Sequence, residues 1–424
     1  MTQEQLDALI QLHTRFLTGR IGGRRAMLQN TDLSGLSLQN QDMRQADFTG
    51  CSFKNSDLSG TNFKEAKLYA CDLSNANLNN AIFVRADLRG ARIESANLEG
   101  ADLEKADLRV GGIASADRFS APEPVNFRGA NLAGAKLAGA VASKADFSDA
   151  IMTGANVSNA DLSGAQFEGA DMSNIEIVGT TFMGANLKNA IMTGVEIEKL
   201  QEMGVDLSQT LTDSNVGRSV SELAEPLVKL IETHRNWVKS AGQQGEQLDL
   251  SDMDIRHVGN LKMEKLTAIK AVNAKFFGLN LYKVELQSAV LDKSDFRNCD
   301  MEEADLRGSS FIGGNFSHAT LKNVDCSPLL FGTEGGSKRF SPCNFEGAIM
   351  RYADLSGAKM KSAVLKNVDL SYANLRGADL RGADLSDAIL KGAKLDDAQL
   401  EDAILPLGDK PVFRIPGAKA EDDD

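Results

Sequence analysis

A large apolar residue stands at every fifth position along most of this chain. Residues 371–400 show the pattern plainly: SYANL RGADL RGADL SDAIL KGAKL DDAQL. Centred on the leucine, each unit reads alanine, polar, Leu or Phe, polar, and often Gly or Asn. Centres run without a slip from Leu28 to Leu108 and resume from Phe127 to about Ile197. They then run from Leu261 to Cys326 and from Phe345 to Leu405. A period of five belongs to neither a helix nor a simple strand. The small residue two before the centre shares its parity, so both point inward on a short extended segment. The intervening Asp or Asn points outward. Gly and Asn at the end of each unit tolerate the turn conformations that bend the chain. Such units stack as a β-solenoid, each turn covering the apolar edge of the one below.

Like residues recur at twenty. Phe127, Phe147 and Phe167 form one column, Phe276, Phe296 and Phe316 a second, and Phe63 and Phe83 a third. Met152, Met172 and Met192 form another, and Cys51 and Cys71 align likewise. This spacing implies four units per turn and ladders of identical side chains about 4.8 Å apart, the strand spacing.

The A-(D/N)-(L/F)-x-x pattern resembles the pentapeptide-repeat family over roughly three-quarters of the chain. The expected fold class is therefore an all-β solenoid: a quadrilateral β-helix of four pentapeptides per coil, with short capping and insert helices. The column spacing supports the four-sided coil independently. Its right-handedness is implied by the resemblance alone.

The chain also repeats on a larger scale. Leu9 to Leu17, LIQLHTRFL, recurs as Leu230 to Val238, LIETHRNWV, at an offset of 221. Both segments have helical spacing. Leu6, Leu9, Ile10, His13, Phe16 and Leu17 form one face. Leu227, Leu230, Ile231, His234, Trp237 and Val238 form the other. Ser219 and Glu222 have the spacing of a capping box for the second helix. A solenoid end exposes apolar side chains and strand edges, so a capping role is expected for these helices. The expected divisions are a capping helix at 1–25, a first lobe at 26–207, a helical insert at 208–247, a second lobe at 248–407 and an acidic, disordered tail at 408–424.

Each half breaks once, at 109–125 and at 327–342. The flanking centres are nineteen residues apart in both places, Leu108 to Phe127 and Cys326 to Phe345. Each gap is thus either a bulged-out excursion or one degraded coil. Both carry Arg-Phe-Ser, as Arg118, Phe119 and Ser120 and as Arg339, Phe340 and Ser341. Loops on a rigid scaffold are natural places for function, and Arg beside Phe is a fair partner-contact pair. These six residues are the candidate partner-binding loops.

Composition narrows the chemistry. The chain has 424 residues, a net charge of −13 and only 6% aromatics. An acidic chain repels phosphate backbones, so direct nucleic-acid binding is not expected. No apolar window long enough for a membrane-spanning helix is present, and MTQEQLDALI lacks the features of a signal peptide. A cytoplasmic location is expected. His13, His234, His257 and His318 form no metal-spaced cluster, and no phosphate loop, H-E-x-x-H or C-x-x-C occurs. No catalytic, metal or cofactor site is expected. Cys51, Cys71, Cys299 and Cys343 occupy the small inward position and Cys326 a centre, as substitutions by size. Cys51 and Cys71 are the pair whose stacking makes a disulfide geometrically conceivable.

The leading expectation is a non-enzymatic scaffold that presents flat faces and two loops to an unidentified protein partner, its oligomeric state left open. The alternative comes from the resemblance. Some pentapeptide-repeat proteins that protect against quinolones mimic DNA and bind type II topoisomerase. An acidic stretch from Ala145 to Asp213, with eleven acidic residues against Lys188 and Lys199, is compatible with that role.

Overall fold

The computed structural model describes residues 1–112, 114–115, 118–119, 122–258, 260–331 and 339–406. The acidic tail expected from 408 onward lies outside them. The chain forms two compact units, Met1–Asn215 and Val216–Asp424, each with its own apolar core.

Most of both units is built from single-residue parallel bridges between positions twenty apart. Asp47 pairs with Lys67, Lys67 with Asp87 and Asp87 with Asp107. Neighbouring bridges follow at five-residue steps, such as Ser52 with Asp72 and Asp57 with Asn77. The outward residue before each centre carries the bridge. Leu68 N donates to Asp87 O (2.8 Å), and Asp87 N donates back to Ala66 O (3.0 Å). Each turn of chain thereby satisfies the backbone of the turn beneath it.

The inward residues form the core the five-residue pattern requires. The rings of Phe127 and Phe147 stack with centroids 4.8 Å apart, and those of Phe147 and Phe167 at 5.1 Å. In the second unit Phe276, Phe296 and Phe316 stack at 4.6 and 4.8 Å. Met152, Met172 and Met192 are fully buried.

At the turns, Asn55 and Asn75 adopt left-handed backbone (φ 57° and 58°), which Asn tolerates better than most residues. Gly60 does the same with φ 63°, and a Cβ there would overlap the side-chain amide of Asn40. The Asp or Asn before each centre does more than face water. Its Oδ1 accepts the backbone N–H two residues on, as Asp57 does from Ser59 (3.1 Å) and Asp146 from Ser148 (2.9 Å). Such turns favour Asp and Asn because a short side chain can take up the turn's amide. Where arginine follows by two, the carboxylate also holds the guanidinium, as in Asp87 with Arg89 and Asp295 with Arg297.

The small inward position has its own rule. Where Ala is replaced by a hydroxyl or thiol inside an unbroken run of coils, the group can donate to a carbonyl 23 residues earlier. Ser56 bonds Leu33 O (2.9 Å), Thr61 bonds Leu38 O (2.6 Å), Cys71 bonds Phe48 O (3.0 Å) and Ser294 bonds Ala271 O (2.5 Å). Size admits these residues, and this one acceptor satisfies them.

Helix α1, Gln3–Leu17, begins with a capping box between Thr2 and Gln5. It buries Leu6, Ile10 and His13, while Phe16 is 39% exposed. A one-turn helix, α2, spans Glu198–Glu202 and buries Leu200. Helix α3, Leu227–Lys239, buries Ile231 and His234. The Ser219–Glu222 capping box expected for it does not form. Ser219 bonds Ser221 N (3.2 Å) in a single 3-10 turn, and α3 starts after Pro226. Proline supplies a fixed φ suited to a helix start, so the boundary falls there.

His13 and His234 make matching connections. His13 Nδ1 accepts from Ala26 N (3.0 Å), and its Nε2 lies 3.1 Å from Arg44 O. His234 Nδ1 accepts from Leu248 N (3.1 Å), and its Nε2 lies 3.0 Å from Thr267 O. An N–H on one side and a carbonyl on the other call for a neutral ring protonated at Nε2. Burial, the largest influence, pushes both imidazoles below their ordinary value.

Candidate functional site

Both breaks in the repeat are excursions, not degraded coils. Across the first, bridges join residues 34 apart, from Arg92 with Asn126 to Asp107 with Val141. Across the second they run from Ser310 with Asn344 to Asp325 with Lys359. The coil therefore keeps its path, and fourteen additional residues leave and return at one point.

In the first unit that excursion is an antiparallel hairpin. Gly111 and Glu123 exchange backbone hydrogen bonds of 3.0 and 2.8 Å at its base. Strand β1, Ala114–Ser115, pairs with β2, Arg118–Phe119, in the register Ala114 to Phe119. Tyr69 fastens the base. Its hydroxyl donates to Gly112 O (2.8 Å) and accepts from Gly112 N (2.9 Å). The Arg89 guanidinium lies over the Tyr69 ring, 5.2 Å from its centroid. Arg89 is also bound to Asp87 (2.7 Å) and approaches Asp107 (3.6 Å). Burial alone would raise the Asp107 carboxyl, but hydrogen bonds from the Arg109 side chain and backbone outweigh it and hold it below its usual range. Beside this base, Arg92, Asp72, Glu123, Gly111 and Pro124 line an open cavity of about 290 Å³. Arg92 spans it between Asp72 (3.4 Å) and Glu123 (3.8 Å).

The second unit repeats the device after Cys326. Strand β3, Arg218–Ser219, pairs in parallel with β4, Met253–Asp254, near the start of that unit. Its hairpin is β5, Leu329–Phe331, against β6, Arg339–Ser341, in the register Leu329–Ser341, Leu330–Phe340 and Phe331–Arg339. Leu329 lies against the backbone of Gly308, where a Cβ would come within 2.9 Å of Leu329 Cδ1. Leu330 and Phe340, directly opposite each other, are 64% and 53% exposed.

Of the six residues singled out by sequence, Arg118 and Phe119 fall on β2, and Arg339, Phe340 and Ser341 on β6. Ser120 lies outside the described residues, as do the side chains of Arg118, Phe119 and Arg339. Sequence reasoning found one arm of each hairpin and missed the other. Leu330 carries no periodic signal, and Tyr69 stands 43 residues before the glycine it holds.

Among the described residues, no group of His, Cys, Asp and Glu is placed to hold a metal ion, and no helix is long and apolar enough to cross a membrane.

The model of the family described as pentapeptide repeats matches in eight copies, at residues 31–68, 71–109, 126–164, 160–196, 272–308, 299–327, 339–371 and 369–405, together more than half the chain. No curated protein matches it. Among solved structures, the chain is similar to HetL, a pentapeptide repeat protein involved in heterocyst differentiation regulation in the cyanobacterium Nostoc sp. strain PCC 7120. That match has 20% identity, 92% of this chain and 94% of that one covered, and a TM-score of 0.18. It is also similar to QnrB1, a plasmid-mediated fluoroquinolone resistance protein, at 24% identity, with 44% and 91% covered and a TM-score of 0.21. A third is Rfr23 from the cyanobacterium Cyanothece 51142, at 20% identity, with 34% and 64% covered and a TM-score of 0.10.

Proposed function

This chain belongs to the pentapeptide-repeat family, and we propose that it is a non-enzymatic scaffold whose two units each offer a hairpin to a protein partner. The observation that carries this reading is the paired exposure of Leu330 and Phe340 on a hairpin that leaves the coil register intact. Two large apolar side chains facing each other in solvent are unfavourable unless a partner covers them, since burying each is worth roughly 1.5–3 kcal/mol. A stiff stack of coils beneath limits the ordering cost of such a contact.

The binding residues of this proposal are Arg118, Phe119 and Ser120 on the first hairpin and Arg339, Phe340 and Ser341 on the second, with Leu330 added. The accompanying architecture is a right-handed quadrilateral coil in lobes at 26–207 and 248–407, with α1 and the 208–247 insert covering coil ends. The burial of Leu6, Ile10 and His13 supports the covering role of α1.

Cross-linking capture from the source cell, with the intact chain and with a Leu330→Ser/Phe340→Ser double variant as baits, tests the reading. A protein captured by the first and lost from the second is the expected result. Equal capture by both, with each folded, would remove the hairpin from the interface.

A further inference from the structure

Cys326 and Cys343 stand at the two feet of the second hairpin. In an uninterrupted coil, a centre and the next small inward residue are three apart and close one turn. Phe48 and Cys51 do this, with Cys51 N donating to Phe48 O (2.9 Å). Cys326 is such a centre, and Cys343 is the next inward residue. Cys343 stands seventeen positions after Cys326, a coil step of three plus the fourteen residues of the excursion. The coil resumes its register across the excursion, with Asp325 bridging Lys359 and Ser310 bridging Asn344.

Three observations put the thiols together. Cys343 Sγ donates to Leu306 O (3.4 Å), and Leu306 lies twenty residues before Cys326, directly beneath it in the stack. The β5–β6 register, continued toward the coil, sets Ser327 opposite Cys343, so Cys326 is the adjoining residue. The Cys326 thiol is raised above its ordinary value, by burial first and then by the neighbouring Cys343 thiol. Both are buried in the core. The first unit has Leu108 and Val125 at the matching feet, so the arrangement is peculiar to the second hairpin.

We propose that Cys326 and Cys343 form a dithiol, assembled across the hairpin as the equivalent of a C-x-x-C pair, that is oxidised by a low-molecular-weight disulfide to an intramolecular bond closing the hairpin base. The ends of a β-turn lie within about 7 Å at Cα, and a disulfide takes about 4.4–6.8 Å, so the coil geometry suits the bond. Oxidised glutathione serves as the probe. One cysteine gives up its proton and attacks it, so that a protein–glutathione S–S bond forms as the glutathione S–S bond breaks. The departing glutathione takes the proton. The second cysteine then attacks the mixed disulfide, forms the Cys326–Cys343 bond and releases the second glutathione, which takes the second proton. Two protein thiols are oxidised and one glutathione disulfide is reduced to two thiols. Because both sulfurs are buried, exchange proceeds while the hairpin base is open, as it is during folding.

Cys51 and Cys71, the pair conceivable from sequence, are arranged differently. Their thiols donate to separate carbonyls, Leu28 O and Phe48 O.

The test uses the full chain in a glutathione redox buffer, both on refolding from urea and on day-long incubation of the native protein. Free thiols are alkylated and a non-reducing peptide map is recorded. The expected product is a Cys326–Cys343 link in about tenfold excess over any other pairing. Trypsin cleavage after Lys338 or Arg339 should then leave two pieces that separate only on reduction. The Cys343→Ser variant should refold, since serine fills the same position at Ser294 and Ser309, and should show no link. A predominant Cys51–Cys71 link, or folded protein with both Cys326 and Cys343 alkylated by both routes, would overturn the proposal.

Discussion

The ring of Phe147 lies 4.8 Å from that of Phe127 and within 5° of parallel to it, although twenty residues separate them. Both are fully buried in the first core. Phe147→Asp places a carboxylate inside this ladder with no partner, at a cost of several kcal/mol. Urea or thermal unfolding of the variant should show that loss, and unchanged stability would contradict the stacked core. Phe147→Leu should cost far less, about 1–1.5 kcal/mol, because volume and polarity are nearly kept.

Helix α1 should loosen in acid. His13 serves its two backbone partners only as a neutral ring, and protonation at Nδ1 would set an N–H against the Ala26 N–H. Asp42 favours the charged ring, Arg25 and Arg44 oppose it, and burial lowers its pKa overall. His234 is lowered in the same direction by burial, against the Thr267 hydrogen bond. A base whose folded pKa lies below its unfolded one gives its full stability above the unfolded value, near 6.5, and loses it as pH falls toward the folded value. The protection of amides 3–17, corrected for the intrinsic pH dependence of exchange, should therefore fall as pH drops below about 6.5. A His13→Ala variant should exchange rapidly at every pH in that range, with about 1–3 kcal/mol lost from the unsatisfied amide. A pH-independent profile in the unmodified chain would refute the neutral-ring assignment.

Tyr69→Phe removes both bonds to Gly112 while keeping the ring under Arg89. Net stability should fall by about 1 kcal/mol or a little more. The diagnostic readout is local: hydrogen exchange at Gly111 and Glu123 should accelerate while that of the 126–192 coils of the same unit does not change. A uniform acceleration would show that Tyr69 supports the whole unit and not the hairpin.

Purified protein in excess over a type II topoisomerase should leave DNA supercoiling unaffected. Many of the aspartates that make the chain acidic accept hydrogen bonds from their own turns or hold arginines, as Asp57, Asp146 and Asp295 do. Such carboxylates are spent on the coil, not set out as rows of anions. Inhibition at stoichiometric protein would favour the DNA-mimic alternative instead.

How much of this was legible beforehand depends on the range of the interaction. The centres, the inward alanines and the Phe columns could be read directly, because each coil presents the same environment and periodic burial leaves a periodic trace. The helix faces were legible for Leu6, Ile10 and His13, but Phe16 shares their spacing and is 39% exposed. Helical spacing tells which residues share a face, not how far the supporting surface extends. The Ser219 capping box misled because a favourable local motif was available to a 3-10 turn as well as to a helix.

The five-residue period by itself determined that this chain is a stack of coils with a column repeat of twenty. A solenoid is local enough that side-chain size and parity prescribe it. Sequence also located the two breaks and one arm of each hairpin. Only the tertiary structure decided that the breaks are excursions, because bridges 34 apart become visible only once the coil above is in place. The same closure set Leu330 opposite Phe340, brought Tyr69 to Gly112 and placed Cys343 beside Cys326. These pairs depend on where the chain returns to the stack after leaving it, and the repeat carries no record of that.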